Sequence, residues 1–278
     1  MTTVVPAMPP GPRRVVRRVE QVMGMPISLA LDGRYAGTPR GEQAWAEVLD
    51  SLRDADAVFS TYRPDSAISR LARGEVSLAQ CPPEVAEVLA LADVARRESA
   101  GAFDVRRSAA GGGALLDPSG IVKGWAVDRA ARVLSRLEET DFCLSAGGDL
   151  VCSTSRPESP AWRVGLEDPA DPARILAVVP VRNGAVATSG LVHRGAHIAD
   201  PRTGATPQVF ASVTVTAPTL TQADVDATAA FVLGDAAPEW LAGRPGRAAL
   251  LVRADGSTQT VGFAQSPGQP VPTCASAS

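Results

Sequence analysis

The sequence predicts an α+β fold in which helices pack on largely antiparallel sheets. Short apolar runs lie on both sides of the turn dipeptides Asn183-Gly184 and Asp255-Gly256, a pattern typical of β-hairpins. Segments with helical periodicity are grouped between these runs, which favours antiparallel over parallel pairing. The sequence contains no GxGxxG turn and no GxxxxGK(S/T) unit, so it predicts neither a Rossmann site nor a P-loop.

The first half of the chain is predicted to contain two strands followed by two helices. Gly24 and Pro26 separate the two strands. Apolar residues recur at helical spacing in the segments that follow. The predicted strands cover 15–22 and 27–31, and the predicted helices cover 43–59 and 83–97.

The second half is richer in glycine and in strands. A flexible loop is predicted at 111–113, a helix over 120–137, and one short strand over 144–151 that Gly147 and Gly148 interrupt. The Asn183-Gly184 turn predicts a hairpin of strands 175–181 and 185–188, and Asp255-Gly256 predicts a second hairpin. That second hairpin joins 248–253 to 258–263, and a further strand covers 212–217.

Size, charge and the chain ends limit the class of protein. The chain has 278 residues, of which 45% are apolar, and a net charge of −3 at pH 7, so nucleic acid is not expected as a partner. A disordered arm is expected over 1–14, one domain over 15–265 and a disordered tail over 266–278. We find no signal segment, no cysteine placed for lipid attachment and no membrane span, which predicts a cytoplasmic protein without a transmembrane segment.

Lys123 is the single lysine of the chain and follows the turn Asp117-Pro-Ser-Gly120. A glycine turn that enters a helix exposes backbone N–H groups to which phosphate binds. A compact ammonium at this position would neutralise phosphate charge. The alternative interpretation is an ordinary loop with a solvated lysine.

A second candidate site lies on a predicted helix that Thr219 or Thr221 caps and Gly234 ends. Asp224 and Thr228 are one turn apart on it, so their oxygens share a face. That pair suits a hard cation such as Mg²⁺. The alternative is an acidic residue that only stabilises the helix dipole.

The remaining candidates are a loop histidine and the short segment Gly101-Ala-Phe-Asp104, whose apolar pair could contact a flat ring and whose carboxylate could hold a polar edge, although the segment is uninformative when taken alone. His197 and His193 have HxxxH spacing, but Gly195 and Pro201 oppose a helix, so a zinc site is not predicted. His197 is a candidate general base or a structural residue. The four cysteines have no metal-ligand spacing and are expected to be reduced thiols.

These segments, in this order, resemble the FAD:protein FMN transferases of the ApbE family from about Val22 to Gly234. The matching blocks are Met23-Gly-Met25, Phe59 to Leu71, Gly101-Ala-Phe-Asp104, Gly120-Ile-Val-Lys123-Gly124-Trp-Ala-Val-Asp128, Ala146-Gly-Gly-Asp149, Thr188-Ser-Gly190, His197-Ile-Ala-Asp200-Pro-Arg-Thr-Gly204 and Ala223-Asp224-Val-Asp-Ala-Thr228. The resemblance implies one ApbE-like (T-fold-like) catalytic domain.

The resemblance also implies a flavin site and a metal site. Asp224, Thr228 and the backbone carbonyl of Gly120 would bind the metal, Mg²⁺ or Mn²⁺. His197 would stand near the phosphates as a proton acceptor, with Lys123 and Asp224 as the other catalytic residues. The implied flavin-site residues are Met23, Tyr62, Ala102, Phe103, Asp104, Asp117, Lys123 and Ile198.

Three positions depart from the family pattern. Ala196 stands where many members have a second histidine, and Ala72 stands where asparagine is common. Asp226 introduces a second acid between Asp224 and Thr228, although i,i+4 spacing favours Asp224 as the partner of Thr228. Most members are exported and lipid-anchored, unlike the expectation for this chain.

By resemblance, the expected activity is Mg²⁺-dependent transfer of the FMN moiety of FAD to a threonine or serine hydroxyl of a target protein, with release of AMP. FAD would be the substrate and the target protein the partner. Two alternatives remain: a protein that binds FAD without reacting, as a carrier or sensor, and a metal-dependent pyrophosphatase that hydrolyses FAD to FMN and AMP.

Overall fold

A computed structural model describes residues 15–108, 114–190 and 198–263. The predicted arm over 1–14, the loop at 111–113 and the tail over 266–278 lie outside these residues. The helices are α1 (Pro39–Phe59), α2 (Ala67–Ala72), α3 (Pro83–Glu98), α4 (Ser119–Leu134), α5 (Leu220–Leu233) and α6 (Ala237–Ala242), with short 3₁₀ turns at Leu78–Gln80 and Gly234–Ala236. The strands are β1 (Val16–Val22), β2 (Met25–Gly33), β3 (Arg106–Ser108), β4 (Ala114–Leu116), β5 (Thr140–Ala146), β6 (Asp149–Ser153), β7 (Trp162–Asp168), β8 (Asp171–Val181), β9 (Gly184–Gly190), β10 (Phe210–Ala217), β11 (Ala248–Arg253) and β12 (Thr258–Val261).

Eight of these strands form one antiparallel sheet in the order β1-β2-β5-β6-β9-β10-β11-β12. The pairs β3-β4 and β7-β8 form two separate ribbons. The predicted α+β class with largely antiparallel sheets is confirmed. No helix in the described part of the chain has both the length and the hydropathy to cross a membrane.

The sheet is covered by helices on one face and by the β7-β8 ribbon on the other. Buried residues of β2 and β5 pack with α1, α3 and α4 in one cluster, and those of β10 and β11 pack with α5 and α6 in a second. Val164 and Leu166 of β7 pack on Val186 and Val252 of the sheet in a third cluster. Burial of these apolar side chains is the main stabilising contribution to the fold.

Helices α4 and α5 approach each other closely, and this contact positions the site described below. A Cβ on Gly124 would lie 2.8 Å from the Leu220 carbonyl oxygen, so only glycine permits this approach without a shift. The Asp128 carboxylate accepts hydrogen bonds from the N–H groups of Leu220 and Thr221, both 2.8 Å, and from the Thr221 hydroxyl at 2.6 Å. It thereby satisfies backbone donors at the start of α5 that have no partner within the helix.

The four predicted helices and the C-terminal hairpin are confirmed as α1, α3, α4, α5 and β11-β12, but two strand predictions are wrong. The segment 144–151 is not one strand, because Gly147 and Gly148 adopt φ of 58° and 99° and reverse the chain between β5 and β6. The strands beside Asn183-Gly184 do not pair with each other, since β8 pairs with β7 and β9 lies between β6 and β10. The Asn183 side chain accepts the Thr154 N–H at 3.0 Å, so it joins the end of β6 instead of closing a hairpin.

Helix α5 begins and ends where the sequence predicts. Thr219 is the N-cap residue, and its hydroxyl accepts the Gln222 N–H at 3.3 Å. Gly234 has a φ of 59° and ends the helix. Within this helix Asp224 faces α4, where its Oδ2 accepts the Gly124 N–H at 3.2 Å.

Candidate functional site

A cavity of about 620 Å³ lies between α4, α5, the β5-β6 turn, β9 and the tip of the β7-β8 ribbon. Its volume is in the range of small-molecule and cofactor sites. Nine of the twelve residues named from the sequence line it: Ala102, Phe103, Asp104, Asp117, Gly120, Lys123, Ile198, Asp224 and Thr228.

The other three residues lie elsewhere. Met23 precedes the cavity residue Gly24, has a φ of 56° and packs partly buried against the core without lining the cavity. Tyr62 follows α1, is 97% exposed and does not line the cavity. His197 and its neighbour His193 lie outside the described residues.

One wall of the cavity is apolar. Ala102, Phe103 and Ile198 are buried there. The Phe103 ring lies against Gly120, where a Cβ added to the glycine would be 3.3 Å from Phe103 Cε2. The Phe103 N–H donates to Ser99 Oγ at 3.0 Å, which fixes the loop that presents the ring. This wall is suited to the face of a flat apolar ligand.

Two carboxylates that line the cavity, those of Asp104 and Asp117, accept hydrogen bonds from backbone N–H groups two residues later in the chain. Asp104 Oδ1 accepts the Arg106 N–H at 2.8 Å, and Asp117 Oδ1 accepts the Ser119 N–H at 3.1 Å. Both side chains are thus held in place at the rim of the cavity. The Asp117 contact also lies at the start of α4, where a carboxylate is favoured by the helix dipole.

Three charged groups meet at the cavity floor. Lys123 Nζ contacts Asp149 Oδ2 in a close ion pair and lies 3.3 Å from Asp224 Oδ1. Asp224 Oδ2 also accepts the Gly124 N–H at 3.2 Å. Asp149 and Asp224 are 3% and 4% exposed, so two buried carboxylates share one ammonium. Lys123 is also the single basic residue among those that line the cavity in the described part of the chain.

The electrostatics of this cluster are unusual for an aspartate. Burial raises the pKa of Asp224 to about 6; the Lys123 ammonium opposes this rise, and the negative charge of Asp149 adds to it. A carboxyl with a raised pKa in a cavity is typical of functional sites. The two carboxylates of Asp149 and Asp224 are thus only partly neutralised by the single ammonium of Lys123.

Hydroxyl groups line the wall formed by β9, β10 and α5. Ser189 Oγ and Thr228 Oγ1 lie 3.0 Å apart, and Thr188 Oγ1 and Thr214 Oγ1 lie 2.9 Å apart. Thr228 is one turn after Asp224 on α5, as the sequence predicts. The wall therefore offers polar oxygens next to the charged cluster.

Asp226 does not compete with Asp224 for the cavity. It is fully buried and does not line the cavity. Its carboxylate pairs with Arg244 at 2.9 Å and with Arg247 at 2.8 Å. Because its carboxylate is paired with both arginines, Asp226 joins α5 to the segment before β11.

Sequence reasoning gave no role to Asp149 or to the ribbon tip at 166–169, which also lines the cavity. Asp149 follows two glycines in one of the matching blocks, and this position is the sequence pattern that could have indicated a role for it. In the described residues no group of three or more His, Cys, Asp and Glu side chains is arranged to bind a metal. Cys81, Cys143 and Cys152 are not joined in disulfides, in agreement with the expectation of reduced thiols.

Comparisons with known proteins identify the family. The profile described as the ApbE family matches residues 23–112 and 107–251. A protein named FAD:protein FMN transferase from Haemophilus influenzae is 27% identical over 266 residues, which cover 73% of this chain and 76% of that protein. A protein of the same name from Escherichia coli K12 is 30% identical over 153 residues, which cover 51% of this chain but only 44% of that protein.

Solved structures show the same fold. The chain superposes on an ApbE protein from Thermotoga maritima with a TM-score of 0.78 at 21% identity, covering 90% of this chain and 97% of that one. For the flavinyl transferase ApbE from Pseudomonas stutzeri the TM-score is 0.75 at 24% identity, with 90% and 95% covered. The fold is therefore that of the ApbE structures, and, since the profile extends over most of the sequence, the chain belongs to the ApbE family.

Proposed function

We propose that the protein transfers the FMN moiety of FAD to a threonine or serine hydroxyl of a target protein and releases AMP. The observation that carries the proposal is the Lys123–Asp149–Asp224 cluster, which lies beside an apolar wall in one cavity of an ApbE-family chain. A pyrophosphate linked to a flat ring needs this combination of cation, polar floor and apolar wall.

The reaction is a phosphoryl transfer. The acceptor hydroxyl oxygen forms a bond to the FMN phosphorus, and the bond between that phosphorus and the oxygen of the AMP phosphate breaks. The hydroxyl proton passes to His197, and AMP leaves. Such reactions depend on positioning and on neutralisation of charge rather than on covalent steps of the enzyme.

Lys123 and the start of α4 serve the pyrophosphate. The ammonium lies in the cavity, where it would pair with phosphate oxygens, and nearby N–H groups at the N-terminus of α4 add positive dipole. Phe103, Ala102 and Ile198 would pack on the isoalloxazine ring. Asp104 and Asp117, fixed by their local turns, would orient its polar edge.

The same floor fits a divalent cation of hard character. Asp149 and Asp224 carry two negative charges against one ammonium, so the cluster retains an excess negative charge in a buried setting. Asp224, Thr228 and the Gly120 carbonyl would hold Mg²⁺ or Mn²⁺, which prefers oxygen ligands together with waters and substrate phosphates. When bound, the ion would neutralise charge on the phosphate oxygens.

The position of Gly124 supports Gly120 as a ligand. In a regular α-helix the Gly124 N–H donates to the Gly120 carbonyl oxygen. Here it lies within hydrogen-bond distance of Asp224, at 3.2 Å. A carbonyl oxygen has two lone pairs, and one helical N–H uses at most one of them, so the Gly120 oxygen would have a lone pair for a cation.

The test is transfer of flavin to other proteins. Purified protein, FAD and Mg²⁺ are incubated with a lysate of the source cell, and denaturing gels are inspected for flavin fluorescence, with mass spectrometry of the labelled band. Flavin transfer predicts FMN on a threonine or serine in a phosphoester bond. Asp224→Asn should abolish the label, whereas Asp54→Asn, which alters an exposed carboxylate of α1, should keep it.

Two other results would replace the proposal. FAD that stays intact while bound would indicate a flavin carrier or sensor. Release of free FMN and AMP without any labelled protein would indicate a pyrophosphatase.

A further inference from the structure

Asp149 is held rigidly by its surroundings. It is the first residue of β6, directly after the Gly147-Gly148 turn, and is 3% exposed. Its Oδ1 accepts the Thr188 N–H of β9 at 2.9 Å, which ties β6 to β9 and fixes the rotation of the carboxylate. Its Oδ2 is therefore directed at Lys123, with which it forms the close ion pair.

Lys123 is shared unequally between its two carboxylates. The ammonium contacts Asp149 more closely than Asp224, from which it is separated by 3.3 Å. Were Asp149 neutral, Asp224 would be the remaining carboxylate of the cluster. Attraction between unit charges in a buried setting is strong, so the ammonium would then pair fully with Asp224.

A full pair between Lys123 and Asp224 would obstruct binding of a cation. The ammonium would neutralise the carboxylate that the cation needs, and its positive charge would repel a second positive ion. A nearby group that directs a ligand without touching the metal commonly changes metal affinity by a large factor.

We infer that Asp149 is a positioning residue that draws the Lys123 ammonium toward itself, so that the ammonium pairs only partly with Asp224 and leaves that carboxylate able to bind a divalent cation. This inference rests on the proposed cation site. It assigns Asp149 no direct contact with metal or substrate. The paired charges explain why the cavity floor uses two acids around one lysine.

The test is Mn²⁺ binding to metal-free protein without FAD, measured by the paramagnetic resonance signal of free Mn²⁺. Asp149→Asn is the informative variant, because asparagine keeps an oxygen for the Thr188 N–H while it removes the charge. We expect Asp149→Asn to bind Mn²⁺ about tenfold or more weakly. The Asp54→Asn variant, altered on exposed α1, should bind as the unmodified protein does.

A double-mutant cycle with Lys123→Met separates positioning from direct ligation. If Asp149 acts through the ammonium, adding Asp149→Asn to Lys123→Met should weaken Mn²⁺ binding by no more than about threefold, the residual effect of one lost charge. Lys123→Met alone should bind Mn²⁺ at least as tightly as the unmodified protein. An equal loss from Asp149→Asn in both backgrounds would mean that Asp149 binds the cation itself and would overturn the inference.

The remaining outcomes are also decisive. Unchanged Mn²⁺ binding by a folded Asp149→Asn protein would refute the positioning role while leaving the proposed cation site intact. Absence of Mn²⁺ binding by the unmodified protein would instead refute the cation site, and the inference with it. If Asp149→Asn does not fold, as judged by circular dichroism, Asp149→Ser and the Lys123→Met result decide in its place.

Discussion

At the scale of single residues, the charged groups on the cavity floor are one ammonium and two carboxylates. Lys123 comes from α4, Asp149 from β6 and Asp224 from α5, so three separate elements supply the cluster. Lys123 and Asp224 were candidates from local patterns, a unique lysine after a glycine turn and an Asp/Thr pair at i,i+4, and the family resemblance selected them over the alternatives. Asp149 was not, because its role follows from the contact with Thr188 on another strand.

Replacement of the ammonium should remove most of the transfer activity. Lys123→Met deletes the single cationic side chain that lines the described cavity. We expect kcat for FMN transfer to fall by about a hundredfold or more, as for loss of one charge-stabilising group. Lys123→Arg should recover little of the lost kcat, because a planar guanidinium does not replace a compact ammonium. Initial rates of labelling measure this, and a kcat within about twofold of the original for Lys123→Met would contradict the role.

The raised pKa of Asp224 predicts a pH dependence of stability in metal-free protein. Its folded-state pKa is about 6, above the ordinary value of 3.8, so ionised Asp224 destabilises the fold. The free energy of unfolding should therefore decrease by on the order of 2 kcal/mol as the pH rises from about 3.8 to above about 6, because Asp224 then ionises in the folded protein. Below pH 4 the penalty is absent.

Urea unfolding at several pH values, with chelator present, measures this effect. Asp224→Asn should lack it, so the stability of the variant relative to the unmodified protein should increase between pH 4 and pH 7. A constant difference across that range would contradict a buried ionisable Asp224.

At the scale of elements, the contact between α4 and α5 sets the geometry of the site. Gly124 permits the close approach, and Asp128 caps the start of α5 through three hydrogen bonds. Both residues lie in the segment that also carries Lys123, which explains why one stretch of sequence determines so much of the cavity. The strands that line the cavity, β6 and β9, were harder to predict from the sequence.

Asp128→Ala should destabilise the protein and misplace α5. It leaves two backbone N–H groups and the Thr221 hydroxyl without their acceptor, at a cost of about 2 kcal/mol. Urea unfolding should show this loss, and Mn²⁺ binding at Asp224 should weaken in parallel. Asp54→Ala, on the exposed face of α1, is the control and should change stability by less than about 0.5 kcal/mol.

The errors in strand prediction have a common physical origin. Asn183-Gly184 was interpreted as a local hairpin turn, but β8 pairs with β7, a seven-residue strand with Gly165 at its centre that sequence patterns did not reveal. Likewise, Gly147 and Gly148 were interpreted as an interruption, although their positive φ values reverse the chain. Local sequence indicates that a turn is present, whereas partner strands are selected by tertiary packing.

At the scale of the whole molecule, the fold brings segments that are distant in the sequence around one cavity. The motif blocks are spread from Met23 to Thr228, and the antiparallel sheet with helices α4 and α5 brings most of them to the cavity. Fold class and most of the cavity lining were predictable because the family's motifs are specific. The exposure of Tyr62 was not, since it depends on how the segment after α1 packs.

Ligand binding should stabilise the whole fold in a metal-dependent manner. FAD at about 100 times its Kd should raise the Tm by about 5 °C when Mg²⁺ is present, because a ligand that binds the folded state shifts the unfolding equilibrium. Without Mg²⁺, or with Asp224→Asn, the shift should be much smaller. An equal shift with and without Mg²⁺ would contradict a cation at the pyrophosphate.

The most direct measurement is the ratio of AMP released to FMN bound covalently, in one reaction containing the protein, FAD, Mg²⁺ and an acceptor protein identified by its flavin label. Transfer through Lys123 and Asp224 predicts one AMP for each FMN attached to a threonine or serine, and no AMP without the acceptor. Equal release of AMP with and without the acceptor, with free FMN as the other product, would contradict transfer to protein.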